Sequence, residues 1–446
     1  MDVRYWSMLA GLALLPCLAG CDRSSDGQSD KGSAVGDQTA DTAIVIPPDD
    51  PEVVKTIETT SGVVFEREGD NIVKLNLLAL SPSDLESLKE EFAWARGLPA
   101  LEHIIASGPG VNDEAMAQLA GHLNLSVLAF EKRSSVTDAG IESIKDLPNL
   151  TDISLERSEI TDESLKHLSE SKTILRIRAP RTKLTDAGVM HLVSAPQLEL
   201  LDVLECTGIS DACLPAVGQL TNLRNFRAYG RQITNEGMPH LASLKNLAAL
   251  GLQYANINDE GLAQLSGLVN LKEVNLYGTY ITDASVETLA GFPKLAKARL
   301  RDTSIRGENA AGFAEMQAMR DLDLSESPVQ DDAMAPIGKI AGLQKLNLWN
   351  AEVTDAGVAE LKGLTNLVDL NLENLWDVTD ASLEVAAGFP KLKTLNVGGT
   401  SVSDEGLPKL YGLKELRTLN LSGSEVSKTG YEALQKNMPW VTKIEF

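Results

Sequence analysis

The chain has 446 residues, which is long enough for two or three ordinary domains or for one long array of repeats. It carries 63 acidic and 40 basic residues, and a formal net charge of −23 argues against a surface built to coat nucleic acid. Only 4% of the residues are aromatic, which is low for one large globular core and typical of solenoids filled by leucine and alanine.

The first twenty residues predict an export signal. Residues 9–18 form an apolar stretch that is too short to span a bilayer. The stretch ends in Leu18-Ala19-Gly20-Cys21, which resembles the lipobox of bacterial lipoproteins. That resemblance implies a lipid on Cys21 and a location in the bacterial cell envelope, on the periplasmic side of the inner membrane or on the outer membrane. An ordinary signal peptide with a nearby cysteine is the alternative.

Two further segments precede the main body of the chain. Residues 21–50 are rich in Ser, Asp, Gly and Thr and predict a disordered tether, because such a composition buries too little apolar surface to offset the entropy of ordering. Residues 51–97 predict an N-terminal cap. We expect it to contain a helix at 52–59, a hairpin formed by residues 63–67 and 72–77, and a longer helix at 81–98.

A short motif then recurs with a spacing of 24 or 25 residues. Ile281-Thr282-Asp283 is one example, and the slot of its aspartate falls at positions 113, 138, 162, 186, 211, 235, 259, 283, 307, 331, 355, 380, 404 and 428. These fourteen positions predict a solenoid of about fourteen repeats over residues 98–437, closed by a capping strand at 438–446.

Each repeat has the same internal pattern. An alternating run such as Leu343-x-x-Leu346-x-Leu348 predicts a short half-buried strand. A hydroxyl residue stands four positions before the aspartate slot, and Thr or Ser directly before the slot is a good N-cap for a short helix. Stacking should place Leu346 beneath Leu370, so that strands pair in parallel and the wider helices lie on the other side.

These repeats resemble the leucine-rich-repeat family over residues 72–446. The closest patterns are bacterial ITDxGL repeats and the cysteine-containing repeats of F-box proteins, although Thr or Ser here replaces the family's Asn or Cys. The resemblance implies an α/β fold, a curved horseshoe-shaped solenoid with parallel strands inside and short helices outside. It also implies binding rather than catalysis. No F-box is present, so the ubiquitin role of those relatives is not carried over.

The sequence offers little for chemistry. His167, His191 and His240 share one slot on the outer helices, where residues of successive repeats stand too far apart to coordinate one metal. Helix-start aspartates explain the recurring Asp without calcium. A bond between Cys206 and Cys213 is possible but nothing supports it. We expect no catalytic residues, no metal and no cofactor.

The concave face predicts a partner site. Arg, Tyr and Trp are the residue types favoured at binding hot spots, and they gather at strand positions that should point to this face. The residues are Arg176, Arg178, Arg181, Arg227, Tyr229, Tyr254, Tyr277, Arg299, Arg301 and Trp349. The alternative is that exposed strand positions simply tolerate these types. A row of Asn at 347, 371, 396 and 420 predicts a structural hydrogen-bonded ladder.

The sequence therefore favours a membrane-anchored, monomeric, non-catalytic scaffold that binds a protein or an anionic polymer through its concave face, without nucleic acid. The alternative is a structural or adhesive cell-surface protein that has no single specific partner. Fold alone does not choose between these two, because the function of a solenoid depends on its decorated surface.

Overall fold

A computed structural model describes residues 46–80, 87–308 and 310–446. Within these ranges one sheet of 17 strands runs the length of the chain, and consecutive strands pair in chain order. The first pair is antiparallel and the pairs that follow are parallel, so the predicted solenoid of parallel strands and short helices is confirmed. The strands are β1 Val64–Glu68, β2 Asn71–Asn76, β3 His103–Asn112, β4 Val127–Ser135, β5 Asp152–Leu155, β6 Arg176–Arg178, β7 Leu200–Asp202, β8 Asn225–Tyr229, β9 Ala249–Gln253, β10 Glu273–Asn275, β11 Lys297–Arg299, β12 Asp321–Asp323, β13 Lys345–Asn347, β14 Asp369–Asn371, β15 Thr394–Asn396, β16 Thr418–Asn420 and β17 Lys443–Glu445.

The core is a continuous stack of apolar side chains between the sheet and the helices. Leu346 lies in register with Leu370, and Leu370 with Leu395, so the same strand position forms a row of leucines across repeats. These side chains are at most 1% exposed. A single repeat could not bury this face, whereas each repeat in the stack covers its neighbour.

Short helices cover the side opposite to the strand face. Thr354 illustrates how they begin, because its Oγ1 accepts a hydrogen bond from the N–H of Ala356 at 3.2 Å. Some repeats have only 3₁₀ turns in this place, such as Ala310–Glu315 and Leu407–Gly412. The α-helices are α1 Pro51–Thr59, α2 Lys89–Ala93, α3 Asp113–Met116, α4 Asp138–Ile144, α5 Asp162–Ser169, α6 Asp186–His191, α7 Leu214–Val217, α8 Met238–Leu241, α9 Asp259–Ala263, α10 Ala284–Ala290, α11 Met334–Ile337, α12 Asp355–Glu360, α13 Asp380–Ala386 and α14 Lys428–Asn437.

The recurring aspartate links each repeat to the next. The carboxylate of Asp162 accepts one hydrogen bond from the backbone N–H of Thr185 at 2.7 Å and another from its Oγ1 at 2.6 Å. We call this pair of bonds the aspartate bridge. It recurs from Asp113, Asp138, Asp186, Asp211, Asp259, Asp331, Asp355, Asp380 and Asp404 to the Thr or Ser of the following repeat. The sequence motif thus encodes repeat stacking as well as helix capping.

The N-terminal elements partly depart from expectation. Helix α1 and the β1–β2 hairpin lie where the pattern placed them. Residues 81–86 of the helix expected at 81–98 lie outside the described residues, and residues 87–98 are helical only from Lys89 to Ala93 before a 3₁₀ turn, Trp94–Gly97. The N-cap residue of this helix, Leu88, makes no side-chain capping bond, which is a weak start for a helix.

The C-terminal end is closed by β17. Its strand pairs in parallel with β16, and Ile444 stands in register with Leu419. Just before it, the indole N–H of Trp440 donates to the carbonyl of Leu413 at 2.8 Å, while Met438 is fully buried. The polar group of the tryptophan is thereby satisfied at the end of the stack.

The two cysteines of the solenoid carry free, buried thiols and are not bonded to each other. The Sγ of Cys206 donates to the carbonyl of Ala179 at 3.2 Å, in the position where other repeats carry a hydroxyl. Burial raises the pKa of both thiols, which makes them poor nucleophiles.

The predicted export signal, the predicted lipidation site Cys21 and the part of the predicted tether up to residue 45 lie outside the described residues. Among the residues that are described, no helix has the length and the apolar character needed to cross a membrane.

Candidate functional site

In each repeat the same strand positions point outward from the core. We call the face that these side chains form the sheet surface. In β6 the side chains of Arg176 and Arg178 are partly exposed, while Ile177 between them is buried in the core. Soon after each strand comes a residue with a left-handed backbone, here Arg181 at φ 59°. Its N–H donates to the carbonyl of Leu204 in the next repeat at 2.8 Å, so inter-repeat pairing holds the strained conformation. The same conformation recurs at Lys132, Arg157, Glu205, Tyr254, Asp302, Glu326, Asn350 and Asn374.

The arginines of β6 are ion-paired within the sheet surface. Nη1 of Arg178 lies 2.5 Å from Oδ1 of Asp152, and Nη1 of Arg176 lies 3.8 Å from the other oxygen of the same carboxylate. Arg176 also approaches Glu199 at 3.6 Å. The sequence gathered Arg, Tyr and Trp on this face, and in the structure both of these guanidinium groups have a carboxylate beside them.

Arg181 is held by acids from the repeats on both sides. Its Nε and Nη2 donate to the two oxygens of Glu205 at 2.8 and 2.7 Å, and its Nη1 donates to Glu156 at 3.1 Å. This two-pronged pairing fixes the guanidinium plane and raises the pKa of Arg181, chiefly through the hydrogen bonds to Glu205.

Arg227 and Arg299, nearer the middle of the sheet, also lie beside carboxylates. Nη1 of Arg227 lies 3.6 Å from Asp202, and Nη1 of Arg299 lies 3.7 Å from Asp323. Burial raises the pKa of Asp202, although Arg227 acts in the opposite direction. These arginines and the acids beside them therefore form a mosaic of charge pairs on the sheet surface.

Three tyrosines from consecutive repeats pack together beside these pairs. The rings of Tyr229 and Tyr254 are 5.4 Å apart and those of Tyr254 and Tyr277 are 4.6 Å apart, both edge-to-face at 62°. The hydroxyl of Tyr254 donates to that of Tyr277. Burial and this hydrogen bond raise the pKa of Tyr254, so the phenol stays neutral at physiological pH.

Arg301 continues this cluster toward the C-terminus. Its guanidinium lies 5.1 Å from the ring centroid of Tyr277 and 4.8 Å from that of Trp349, so it contacts two aromatic rings. Nε of Arg301 also donates to Glu326 at 2.6 Å. The structure thus brings Tyr229, Tyr254, Tyr277, Arg301 and Trp349 into one group, which we call the aromatic cluster.

Two residues that contact or lie near the aromatic cluster, Arg231 and Tyr280, were not among the predicted site residues. The guanidinium of Arg231 lies 4.5 Å from the ring of Tyr280 and 5.8 Å from that of Tyr254. Tyr280 is 51% exposed and borders an open depression that is also lined by Asn256 and Asn258. The sequence could have indicated Arg231. It stands four residues before the aspartate slot at 235, and other repeats carry Thr or Ser at that position.

Each asparagine of the row accepts a bond within its own repeat, and one bond joins two repeats, since Nδ2 of Asn396 donates to Glu373 at 2.9 Å. Oδ1 of Asn347 accepts from the N–H of Trp349 at 3.1 Å, and Oδ1 of Asn371 accepts from the N–H of Glu373 at 3.0 Å. Asn396 and Asn420 make the same local contact. These residues shape the turn that ends each strand.

The three histidines that share one repeat position lie on the helix side of the solenoid. His167, His191 and His240 lie on α5, α6 and α8. No group of three or more His, Cys, Asp or Glu residues in the described ranges is placed to hold a metal ion. The arrangement on the sheet surface can bind by packing and hydrogen bonding.

The sequence matches no protein-family model and no curated protein. Its structure is similar to a leucine-rich-repeat protein of Leptospira interrogans, with 18% identity, a TM-score of 0.53, and coverage of 82% of this chain and 94% of that one. It is also similar to an internalin of Listeria monocytogenes, with 15% identity, a TM-score of 0.43, and coverage of 88% of this chain and 93% of that one. The chain therefore has the leucine-rich-repeat solenoid fold.

Proposed function

We propose that this chain is a non-catalytic scaffold that binds a protein partner through the sheet surface between β8 and β13. The observation that carries the proposal is the packing of Arg301 against both Tyr277 and Trp349. Tyr, Trp and Arg dominate binding hot spots, and these three are already ordered by mutual contact and by Glu326. Order in the free state lowers the entropy cost of binding.

The charge pattern favours a protein over an anionic polymer. The arginines of the sheet surface face carboxylates, such as Asp202 beside Arg227 and Asp323 beside Arg299. A polyanion would have to approach these acids as well as a chain with net charge −23. A protein surface that presents both signs of charge around an apolar centre suits the mosaic better.

The proposal includes attachment to the bacterial envelope through a lipid on Cys21. Its support is the sequence Leu18-Ala19-Gly20-Cys21 after an apolar stretch, followed by a polar segment of tether composition. Metabolic labelling with a radioactive fatty acid tests it. The unaltered protein should carry label and sediment with membranes, and Cys21→Ser should abolish both.

Binding is tested with two matched triple variants. The first carries Tyr277→Ala, Arg301→Ala and Trp349→Ala in the aromatic cluster. The second carries Met190→Ala, His191→Ala and Val269→Ala, which are exposed away from the sheet surface. Each is used to capture proteins from envelope extract, and any captured protein is then purified and titrated against all three forms by calorimetry.

A partner that binds the unaltered protein and the control with equal affinity, but binds the cluster variant at least about thirty-fold more weakly, supports the proposal, because loss of a hot spot costs about 2 kcal/mol or more. Equal affinity for all three forms would move the site elsewhere on the chain. Weak binding to many unrelated proteins or to anionic polymer would favour the structural or adhesive alternative.

A further inference from the structure

Two buried amide oxygens on the sheet surface lack a hydrogen-bond donor. They are Oε1 of Gln253 on β9 and Oδ1 of Asn225 on the adjacent strand β8. Buried acceptors are nearly always bonded in folded proteins, and an unmet one carries a free-energy cost. Both lie in the stretch of the sheet that carries the aromatic cluster.

Gln253 is 4% exposed, although it occupies an outward-facing strand position. It stands in register with Tyr229, and the adjacent Tyr254 pairs through its N–H with the carbonyl of Tyr277 at 2.7 Å. Gln253 thus stands beside two tyrosines of the aromatic cluster, one on the neighbouring strand and one next in the chain, and its amide oxygen is buried without a donor.

The space that this amide occupies exists because Gly251 has no side chain. A β-carbon at Gly251 would lie 2.9 Å from Oε1 of Gln253 and 3.2 Å from Cγ of Arg227. The amide is thus folded back over Gly251, against Arg227. A long, flexible side chain held there by packing alone can rotate outward and leave a recess the size of one side chain.

We infer that Gln253 and Gly251 form a specificity element for the partner, in which a neutral side-chain amide of the partner enters the recess over Gly251 and donates to Oε1 of Gln253. A neutral donor fits better than a cation, because Arg227 borders the recess and would repel a second positive charge. Oδ1 of Asn225, which stands two residues before Arg227 on β8, is a second buried acceptor without a donor. This inference rests on the proposed function, since it names what the same surface recognises.

The test uses the full chain and a phage-displayed library of random twelve-residue peptides. Peptides enriched on the unaltered protein should share an Asn or Gln, and replacing that residue with Ala should weaken binding about ten-fold or more. Gln253→Met, which keeps the length without the amide, and Gly251→Leu, which fills the recess, should weaken binding to a similar degree. Gln264→Met on the helix side and Ala129→Leu at the position of β4 equivalent to Gly251 are the matched controls and should have no effect.

The outcomes separate this inference from the proposed function. If the variant Tyr277→Ala, Arg301→Ala, Trp349→Ala abolishes peptide binding while Gln253→Met and Gly251→Leu bind within about two-fold of the unaltered protein, the surface binds but the specificity element is refuted. Stronger binding by Gln253→Glu would indicate a cationic donor and would also overturn it. Unchanged thermal melting of each variant excludes misfolding as the cause of any loss.

Discussion

The carboxylate of Asp331 accepts two hydrogen bonds from Thr354 in the next repeat. Oδ1 accepts from the backbone N–H at 2.8 Å and Oδ2 accepts from Oγ1 at 2.7 Å. Thr354 in turn caps α12, since its Oγ1 accepts from the N–H of Ala356. One threonine thus serves the helix of its own repeat and the contact with the preceding repeat, which explains why Thr-Asp recurs as a pair.

Removing one aspartate bridge should weaken the stack locally. We expect Asp331→Ala to lower the free energy of unfolding by about 1–3 kcal/mol, because the N–H of Thr354 loses a charge-assisted bond. Urea unfolding and hydrogen exchange at the Thr354 amide measure this. Asp332→Ala is the matched control, since its exposed side chain lies beside the bridge but does not form it. Equal effects of the two substitutions would contradict the bridge as a source of stability.

In many repeats a glycine stands two residues after the aspartate slot, and the carboxylate of the preceding repeat's aspartate packs against it. A β-carbon at Gly357 would collide with Oδ1 of Asp331 and lie 2.9 Å from Cγ1 of Val353. Ala333 occupies the equivalent position after Gly307, where the slot has no carboxylate. Ser382 occupies this position in another repeat, and its Oγ donates to Asp355 at 2.5 Å. The carboxylate is thus accommodated either by a glycine, which leaves room for it, or by a serine, which donates a hydrogen bond to it.

Gly357→Ala should therefore destabilise the protein by about 1–3 kcal/mol, because the added methyl group overpacks the site. In an unhindered helix the same substitution would be stabilising, since alanine has the higher helix propensity. Gly357→Ser should be less harmful because its hydroxyl can donate to Asp331. Thermal melting of the two variants gives the comparison. Gly412→Ala is the control, because a β-carbon there meets no atom within 4 Å, and it should leave stability unchanged or slightly higher. A stabilising Gly357→Ala would refute the steric argument.

The period of the repeat made the fold predictable. A spacing of 24 or 25 residues sets which leucines stack, and the register of Leu346 with Leu370 follows directly. The aspartate bridge was not foreseen, because the sequence shows Thr and Asp as neighbours in one repeat. Their bond instead joins residues of two successive repeats, as from Asp331 to Thr354.

The candidate surface was less predictable for a related reason. Arginines such as Arg178 could be assigned to the strand face by alternation, but their pairing with acids of the neighbouring repeat depends on side-chain reach. Gln253 attracted no notice in the sequence, since alternation assigns it to the outward face of β9, where a buried side chain is not expected. Contacts between repeats have no short-range signature.

The aspartate bridges should make the protein sensitive to acid. Burial alone would raise the pKa of Asp355, but hydrogen bonds from Ser382 and Thr379 outweigh it and hold that pKa below its usual value. The pKa values of Asp138 and Asp259 are lowered in the same way. A carboxyl group whose pKa is lower in the folded state stabilises the fold fully at pH values above its unfolded-state pKa, about 3.9. This contribution is lost as the pH falls through the folded-state pKa.

Asp355→Asn isolates one such contribution. We expect it to be less stable than the unaltered protein by about 1–2 kcal/mol at pH 7, since the amide replaces an ionised acceptor. The difference should shrink as the pH falls below the unfolded value, about 3.9, and through the lower folded value, because the unaltered Asp355 then becomes protonated as well. Urea midpoints between pH 7 and pH 2 measure it. A difference that does not change with pH would contradict the ionised bridge.

His122 predicts a second, separate pH dependence. Its Nδ1 accepts from the N–H groups of Asn124 and Leu125, each at 3.2 Å, while Nε2 lies 3.1 Å from the carbonyl of Leu98. Only the neutral ring with its proton on Nε2 makes all three bonds. Burial lowers the pKa of His122, although the bonds to backbone carbonyls act in the opposite direction.

The folded state therefore binds fewer protons than the unfolded state once the pH falls below the unfolded value, about 6.5, and stability should decline from there. This window lies well above the acid range of the aspartate bridges. His122→Gln should make the decline between about pH 7.5 and pH 5 less steep, because a glutamine amide does not titrate, while the part due to His103, whose pKa burial also lowers, should remain. His240→Gln, at an exposed position of α8, is the control and should preserve the decline. If His122→Gln declines as steeply as the unaltered protein in urea titrations across this range, another group must titrate there, and the neutral ring of His122 is not what couples folding to pH.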